Sequence, residues 1–183
     1  MAAPPVALAD VTLILDNVRS LYNVGAIMRA GDGAGVRRII ACGITPFPAQ
    51  GRADPRRGPV AALADRELRK TALAAFDAVH VEACHSAAVA MERLKCEGAT
   101  VVAVERTPDA ELFWRAPALD APHLALVLGH EVEGLDAGVL RQADAVVRVP
   151  MLGAGSSLNV AVAAGVVLYE ILRRRSSALA GAG

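Results

Sequence analysis

The chain has 183 residues, 54% of them apolar and only 3% aromatic, so its core must be built mainly from Ala, Val, Leu and Ile. The length suits one domain, and 19 Lys and Arg residues balance 19 Asp and Glu residues. Three scattered cysteines exclude a zinc site of the usual spacing, and no apolar run approaches the ~20 residues of a membrane-spanning helix. The opening MAAPPVALAD lacks a signal-peptide pattern, so we expect a cytoplasmic protein with no metal and no membrane contact.

Aliphatic runs alternate with helical patterns along the chain. The predicted strands are residues 11–16, 37–42, 78–84, 99–105, 123–129 and 145–150. Predicted helices begin at about Asn23, cover 68–76, 86–98 and 134–143, and end with one from about Ser157 to Arg175. No regular structure is predicted for 106–122, or for 43–66 with its four prolines.

This alternation predicts a single α/β domain, residues 1–183, with a mostly parallel six-stranded sheet flanked by helices. The ends, residues 1–9 and 176–183, are expected to be flexible. Ligands of such sheets bind beyond the carboxyl ends of the strands. Three polar, glycine-containing segments follow strands there, and together they predict one composite site: 17–29, 129–135 and 150–159.

Several familiar motifs are excluded by their context. GDGAGV (31–36) follows a predicted helix and therefore does not fit a dinucleotide-binding turn. GHEVEG (129–134) lacks the second histidine of a zinc site. GAGSS (153–157) lacks the lysine of a phosphate-binding loop.

Three ordered motifs give the segments a common meaning. They are Asn23-x-Gly25-x-x-x-Arg29, then Gly129-x-Glu131-x-x-Gly134, then Pro150-Met151-x-Gly153-x-x-x-Ser157-Leu158-Asn159-Val160. Their order, each after a strand, resembles that of the SpoU (TrmH) family of RNA ribose 2'-O-methyltransferases, within the SPOUT superfamily. The likeness covers about residues 11–175. It implies a C-terminal deep trefoil knot that binds S-adenosyl-L-methionine, and transfer of a methyl group to a ribose 2'-hydroxyl of tRNA or rRNA.

The resemblance also implies roles for individual residues. The implied catalytic residues are Asn23, Arg29, Glu131, Ser157 and Asn159. The implied cofactor-binding residues are Leu128, Gly129, Glu131, Gly134, Val149, Met151, Leu152, Gly153, Ser157, Leu158 and Asn159. Glu131 is expected to orient its loop or to hold Arg29 and Asn23, and Ser157 to cap the last helix. From the residues alone, Asn23 is equally explained as a helix cap and Arg29 as a surface partner of Asp32.

RNA contacts are predicted in a basic segment. Residues 1–70 carry ten Lys or Arg against six Asp or Glu, and the basic side chains cluster in 52–70. The predicted RNA contacts in this segment are Arg52, Arg56, Arg57 and Lys70. An ordinary solvated loop explains the same composition. Only ten residues precede the first strand, so no auxiliary RNA-binding domain is expected there, which favours tRNA slightly.

The composition of the last predicted helix indicates contact with a partner chain. It is apolar almost all around between Asn159 and Glu170, and such a helix must be buried on most sides. We therefore expect a homodimer through this helix and the knot region, which the resemblance also implies.

Two alternatives to an RNA methyltransferase remain open: a catalytically silent module that binds RNA or S-adenosylmethionine, and a different nucleotide-binding α/β enzyme.

Overall fold

The computed structural model describes the backbone of residues 7–181, with all side chains except those of Ala53 and 178–181. One sheet of seven strands forms in this range, and every neighbouring pair is parallel. The strands are β1 (Val11–Asp16), β2 (Arg38–Cys42), β3 (His80–Cys84), β4 (Thr100–Val104), β5 (Glu111–Leu112), β6 (Leu124–Leu128) and β7 (Ala145–Arg148). Their order across the sheet is β3-β2-β1-β6-β4-β7-β5.

The predicted number of strands is wrong by one. The additional strand, β5, lies in 106–122, where no regular structure was predicted, and pairs only with β7. A strand of two residues shows no alternation of polar and apolar side chains, so the sequence offers no signal for it. The other six strands lie within the predicted segments.

Helices cover both faces of the sheet. They are α1 (Leu21–Ala34), α2 (Gly58–Ala72), α3 (Ala75–Ala78), α4 (Ala87–Cys96), α5 (Ala137–Gln142) and α6 (Val160–Gly181). One buried cluster joins α1, α2 and α6 to one face of the sheet, and a second joins α4 and α5 to the other. Because both faces are covered, the central strands are almost continuously aliphatic. No described helix has the length and hydropathy that crossing a bilayer would require.

The prediction of an irregular 43–66 segment is wrong for its last part, where α2 begins at Gly58. Pro59 was counted as a helix breaker, but it lies in the first turn of α2. A proline there removes no helical hydrogen bond, because the first amides of a helix have no partner within it. Leu8 is fully buried and α6 continues through Gly181, while the flexibility of the two ends stays a prediction. Residues 1–6 and 182–183 lie outside the described residues.

The motif glycine Gly25 permits close packing of α1 on α2. A Cβ atom at Gly25 would lie 1.8 Å from Thr71 Oγ1 and 3.1 Å from the Ala72 amide nitrogen. We expect Gly25→Ala to lower the free energy of unfolding by about 1–3 kcal/mol, measured by urea denaturation. Gly31→Ala is the matched control in the same helix, because its Cβ would meet only ordinary contacts of 3.5 Å or more. Equal stability of the two variants would contradict this explanation of the glycine.

Arg174 fastens α6 to the segment before β6. Its guanidinium donates to the carbonyl oxygens of Phe113 and Ala116, and it bonds to the carboxylates of Asp120 and Glu170. Only 14% of the side chain is exposed, so its loss would leave several acceptors without a donor.

We expect Arg174→Ala to lower the free energy of unfolding by about 3–5 kcal/mol, the usual effect of breaking a buried ion pair. Arg173→Ala is the matched control. The Arg173 side chain is 65% exposed and, among the described residues, bonds only to Glu170, so its removal should change stability by less than about 1 kcal/mol. Thermal or urea unfolding of both variants tests the difference, and similar losses from the two would refute it.

Candidate active site

The three motif segments lie together at the carboxyl edge of the sheet. They follow β1, β6 and β7, and β4 lies between the last two in the strand order. A cleft opens where the chain leaves β4, β6 and β7. Its lining residues are Val104, Glu105, Arg106, Leu128, Gly129, His130, Glu131, Val132, Gly134, Arg148, Val149, Met151, Ser157, Leu158, Val160 and Ala163.

Asn23 joins the three segments directly. Its side-chain nitrogen donates to Glu131 Oε1 at 2.9 Å, and its side-chain oxygen accepts from Asn159 Nδ2 at 2.9 Å. Asn23 is more than one hundred positions from each of these two partners in sequence, so the side chains meet only because of the fold. Side chains from all three segments therefore form one hydrogen-bonded cluster.

The Glu131 carboxylate binds the start of α1. Besides the Asn23 amide, it accepts hydrogen bonds from the backbone amides of Arg19 at 3.1 Å and Ser20 at 3.0 Å. Partial burial opposes ionisation, but these hydrogen bonds outweigh it and hold the pKa of Glu131 below its usual value. The stabilising contribution of the carboxylate is therefore present at neutral pH and is lost as the pH falls through this lowered pKa. A carboxylate with all these donors suits a positioning role.

Both helix caps differ from the prediction. The N-cap of α1 is Ser20, whose side chain accepts from the amide of Asn23, so Asn23 is inside the first turn. The last helix begins at Val160, and its cap is Asn159, whose side-chain oxygen accepts from the Ala161 amide at 2.8 Å. Ser157 therefore does not cap this helix; it is exposed and lines the cleft.

Sequence reasoning missed the residues that shape the turn carrying Glu131. His130 Nδ1 accepts from the amides of Val132 and Glu133, both at 3.1 Å, and Gly134 adopts a positive φ of 70°. Glu105 Oε2 accepts from the Leu135 amide at 2.9 Å and closes the far side of the turn. The position of Glu105, a charged residue at the end of the predicted strand 99–105, was the available signal.

Most of the predicted cofactor-binding residues line the cleft, but three do not. Leu152, which is 97% exposed, and Gly153 lie outside it, and Asn159 contacts Asn23 instead. The enclosed part of the cleft has a volume of about 140 Å³, whereas sites for small molecules usually exceed roughly 300 Å³. A nucleoside-sized ligand would therefore occupy the open mouth as well, beside the exposed 152–157 segment.

Arg29 is not part of this cluster and has no hydrogen bond to Glu131 among the described residues, contrary to the expectation that Glu131 holds it. It is exposed on α1 and shares a shallow cleft with Lys70, Thr71 and Tyr169. Asp32 is not its partner either, because the carboxylate of Asp32 pairs with Arg37. Arg29 therefore makes neither of the two expected contacts among the described residues, and its catalytic role stays a prediction.

The predicted RNA-contact residues fall into two kinds. Arg56 is engaged within the protein: its guanidinium bonds to Asp54 and to the carbonyl oxygens of Phe47 and Pro48, and it lies 3.7 Å from the centre of the Phe47 ring. The hydrogen bonds from the Arg56 guanidinium to the Asp54 carboxylate hold the pKa of Asp54 below its usual value. Arg56 thus stabilises its own loop in this structure, and its RNA contact stays a prediction.

The other three predicted contacts remain on the surface. Lys70 pairs with Glu67 at 2.9 Å, while Arg52 and Arg57 are exposed. Within residues 7–181, no side-chain hydrogen bond holds either arginine.

No group of three or more His, Cys, Asp or Glu side chains in the described part of the chain is arranged to bind a metal ion.

Known proteins resemble this chain in both sequence and fold. The model of the SpoU rRNA Methylase family matches residues 57–169, which include the second and third motifs. The 23S rRNA (guanosine-2'-O-)-methyltransferase RlmB of Pseudomonas aeruginosa is 34% identical over 164 residues, 90% of this chain and 59% of that protein. The chain thus spans about three fifths of the curated relatives that it matches.

Solved structures give the same result. The A. aeolicus TrmH/SpoU tRNA modifying enzyme superposes with a TM-score of 0.74 and 25% identity, over 93% of this chain and 78% of that one. A structure described as an RNA 2'-O ribose methyltransferase gives a TM-score of 0.72 and 30% identity, over 96% and 59% of the two chains. Since the family model matches more than half of its residues, the chain belongs to the SpoU rRNA methylase family.

Proposed function

We propose that this chain transfers a methyl group from S-adenosyl-L-methionine to a ribose 2'-hydroxyl of tRNA or rRNA in the cytoplasm. The observation that carries the proposal is the meeting of three motif segments at one cleft, where Asn23 bonds to both Glu131 and Asn159. Family membership supports the same reaction, because the relatives include a 23S rRNA guanosine-2'-O-methyltransferase.

The cleft residues suit the adenosine part of the cofactor. Apolar side chains from both turns form its walls, and the same segments supply backbone amides and carbonyls that read the edge of a base. The residues that would hold the cofactor are Leu128, Gly129, Gly134, Val149, Met151, Ser157 and Leu158. When bound, S-adenosylmethionine supplies an electrophilic methyl group on a sulfonium sulfur.

The chain's own residues position and stabilise the other reactant. A ribose hydroxyl is a weak nucleophile until it loses its proton, and a guanidinium stays protonated at neutral pH. Arg29 therefore does not remove the proton; it binds the adjacent phosphate and stabilises the developing negative charge on the oxygen. The proton passes to water or to a phosphate oxygen. Asn23, Asn159 and Glu131 keep the cleft aligned with that oxygen.

This role of Arg29 requires a second subunit. Arg29 does not face the cleft of its own chain, but it shares its shallow cleft with Tyr169 of α6. The side chains of Val162 and Tyr169 are each 51% exposed, and their spacing of seven residues puts them on one face of α6. We propose a homodimer that covers this surface and brings Arg29 of one subunit to the cleft of the other.

We also propose that the C-terminal part forms the deep trefoil knot of this family. The supporting features are the cleft turns at 129–135 and 149–159, which adjoin each other, and the return of α6 from the β7 side of the sheet to pack with α1. Residues 1–183 then form a single methyltransferase domain.

Isothermal titration calorimetry tests the cofactor assignment. We expect saturable binding of S-adenosylmethionine at one site per chain, and no binding of NAD under the same conditions. Leu158→Asp should abolish the heat of binding, because it places a charge in an apolar wall, whereas Leu152→Asp should not, because that side chain lies outside the cleft. Binding of NAD instead would favour a different nucleotide-dependent enzyme.

A further inference from the structure

An exposed tryptophan lies beside the cleft. Trp114 is the only tryptophan in an aromatic-poor chain, and 44% of it is exposed. Tryptophan is usually largely buried because it offers the greatest apolar area. Leaving this one on the surface sacrifices core packing in a chain with few aromatic residues, which indicates a use at the surface.

The backbone around Trp114 is tied down on both sides. The Phe113 amide donates to the Arg148 carbonyl at 3.1 Å, and the Arg115 amide donates to the Leu112 carbonyl at 2.8 Å. Arg174 holds the carbonyl of Phe113 at 2.9 Å. The Phe113 ring meets the Trp114 ring nearly edge-on, with the centroids 5.0 Å apart. The indole is therefore presented by a braced turn, so little ordering is needed when a ligand binds.

The turn adjoins the cleft. Arg148, which receives the Phe113 amide, lines the cleft together with Val149. Two further arginines flank the indole in sequence: Arg106 also lines the cleft, and Arg115 is exposed. No hydrogen bond or ion pair engages either guanidinium within the described part of the chain.

We propose that Trp114 is a stacking platform for an unpaired base of the RNA, next to the nucleotide that is methylated; this rests on the function proposed above. Sequence-tolerant stacking on aromatic rings is how proteins hold splayed bases of single-stranded RNA. Asp109 and Glu111 are exposed in the same segment and offset the two arginines. Stacking therefore dominates over charge here, unlike in the basic 52–70 segment.

Intrinsic fluorescence tests the proposal on the unmodified protein, because all tryptophan emission comes from this residue. Titration with unstructured RNA oligonucleotides should quench the emission saturably, and S-adenosylmethionine alone should not. Trp114→Ala should weaken RNA binding roughly 10- to 100-fold and raise the KM for RNA, with unchanged calorimetric affinity for S-adenosylmethionine. The salt dependence of RNA binding by Trp114→Ala should match that of the wild type, because the substitution removes no phosphate contact.

Two further variants make the result specific. Trp114→Phe should recover most of the RNA affinity, since it keeps an aromatic face. Val89→Ala removes an exposed apolar side chain from α4, away from the cleft, and should change nothing. Methylation by Trp114→Ala with a wild-type KM for RNA, together with no change in wild-type emission when RNA is added, would overturn the proposal while leaving the enzyme assignment intact. Weaker self-association of Trp114→Ala, with unchanged RNA affinity, would also overturn it.

Discussion

Replacing Glu131 with alanine should lower kcat/KM for RNA methylation by at least about 100-fold, the effect expected when the reacting groups are misplaced by about 1 Å. The substitution removes the acceptor of the Arg19 and Ser20 amides and of the Asn23 side chain. Asn23 then no longer links the start of α1 to the 129–135 turn. Unpaired donors should also lower the free energy of unfolding by about 1–3 kcal/mol.

Two other variants separate positioning from general damage to the turn. Glu131→Gln keeps one acceptor oxygen without the charge, so its activity should lie between those of the wild type and Glu131→Ala. Glu133→Ala is the matched control, because the exposed side chain of Glu133 has no bonded partner among the described residues. It should retain activity within about twofold, as surface substitutions usually do. A Glu131→Ala enzyme with near-normal kcat/KM would disprove the positioning role.

Replacing Arg29 with alanine should lower kcat by roughly 10²- to 10³-fold, as loss of one group that stabilises a developing oxyanion does. Arg29→Lys should also be impaired, because an ammonium lacks the planar pair of donors. Near-normal turnover of Arg29→Lys would argue against the phosphate clamp. Steady-state kinetics with saturating RNA measure both effects.

Mixing two inactive variants tests whether Arg29 acts across a dimer. When Arg29→Ala and Glu131→Ala chains are denatured together and refolded, half of the dimers are mixed, and each mixed dimer contains one complete site. Activity should then return to about one quarter of the wild-type value. If Arg29 acts within its own chain, the mixture should stay inactive. Circular dichroism of each variant establishes that it folds, and Glu131→Gln replaces Glu131→Ala if the latter does not.

The central strands could be predicted closely because parallel strands covered on both faces are nearly continuous aliphatic runs. The first strand, Val11–Asp16, matches its prediction at both ends. The two-residue strand at Glu111 could not be predicted, because its pairing depends on the neighbouring β7 and not on a local pattern. The start of α2 was missed because Pro59 was counted without regard to its position in the first turn.

The site was predictable at the level of segments but not of contacts. The motifs identified Asn23, Glu131 and Asn159, and Asn23 bonds to both of the others. Arg29 follows Asn23 by six residues, so on an α-helix the two side chains point about 120° apart. That rotation was available from the sequence and argues against placing both at one cleft in one chain. The hydrogen bonds that Glu105 and His130 accept from the 129–135 turn depend on neighbouring strands and on the shape of the turn. The sequence motifs do not include these two residues.

Transfer of labelled methyl from S-adenosylmethionine into RNA tests the central claim most directly. Unmodified RNA is incubated with the protein and isotopically labelled cofactor, digested to nucleosides and separated by chromatography with mass detection. The account predicts label only in 2'-O-methylated nucleosides, with little in reactions that contain Glu131→Ala. Label on a base, or no transfer by a protein that binds both RNA and S-adenosylmethionine, would contradict it.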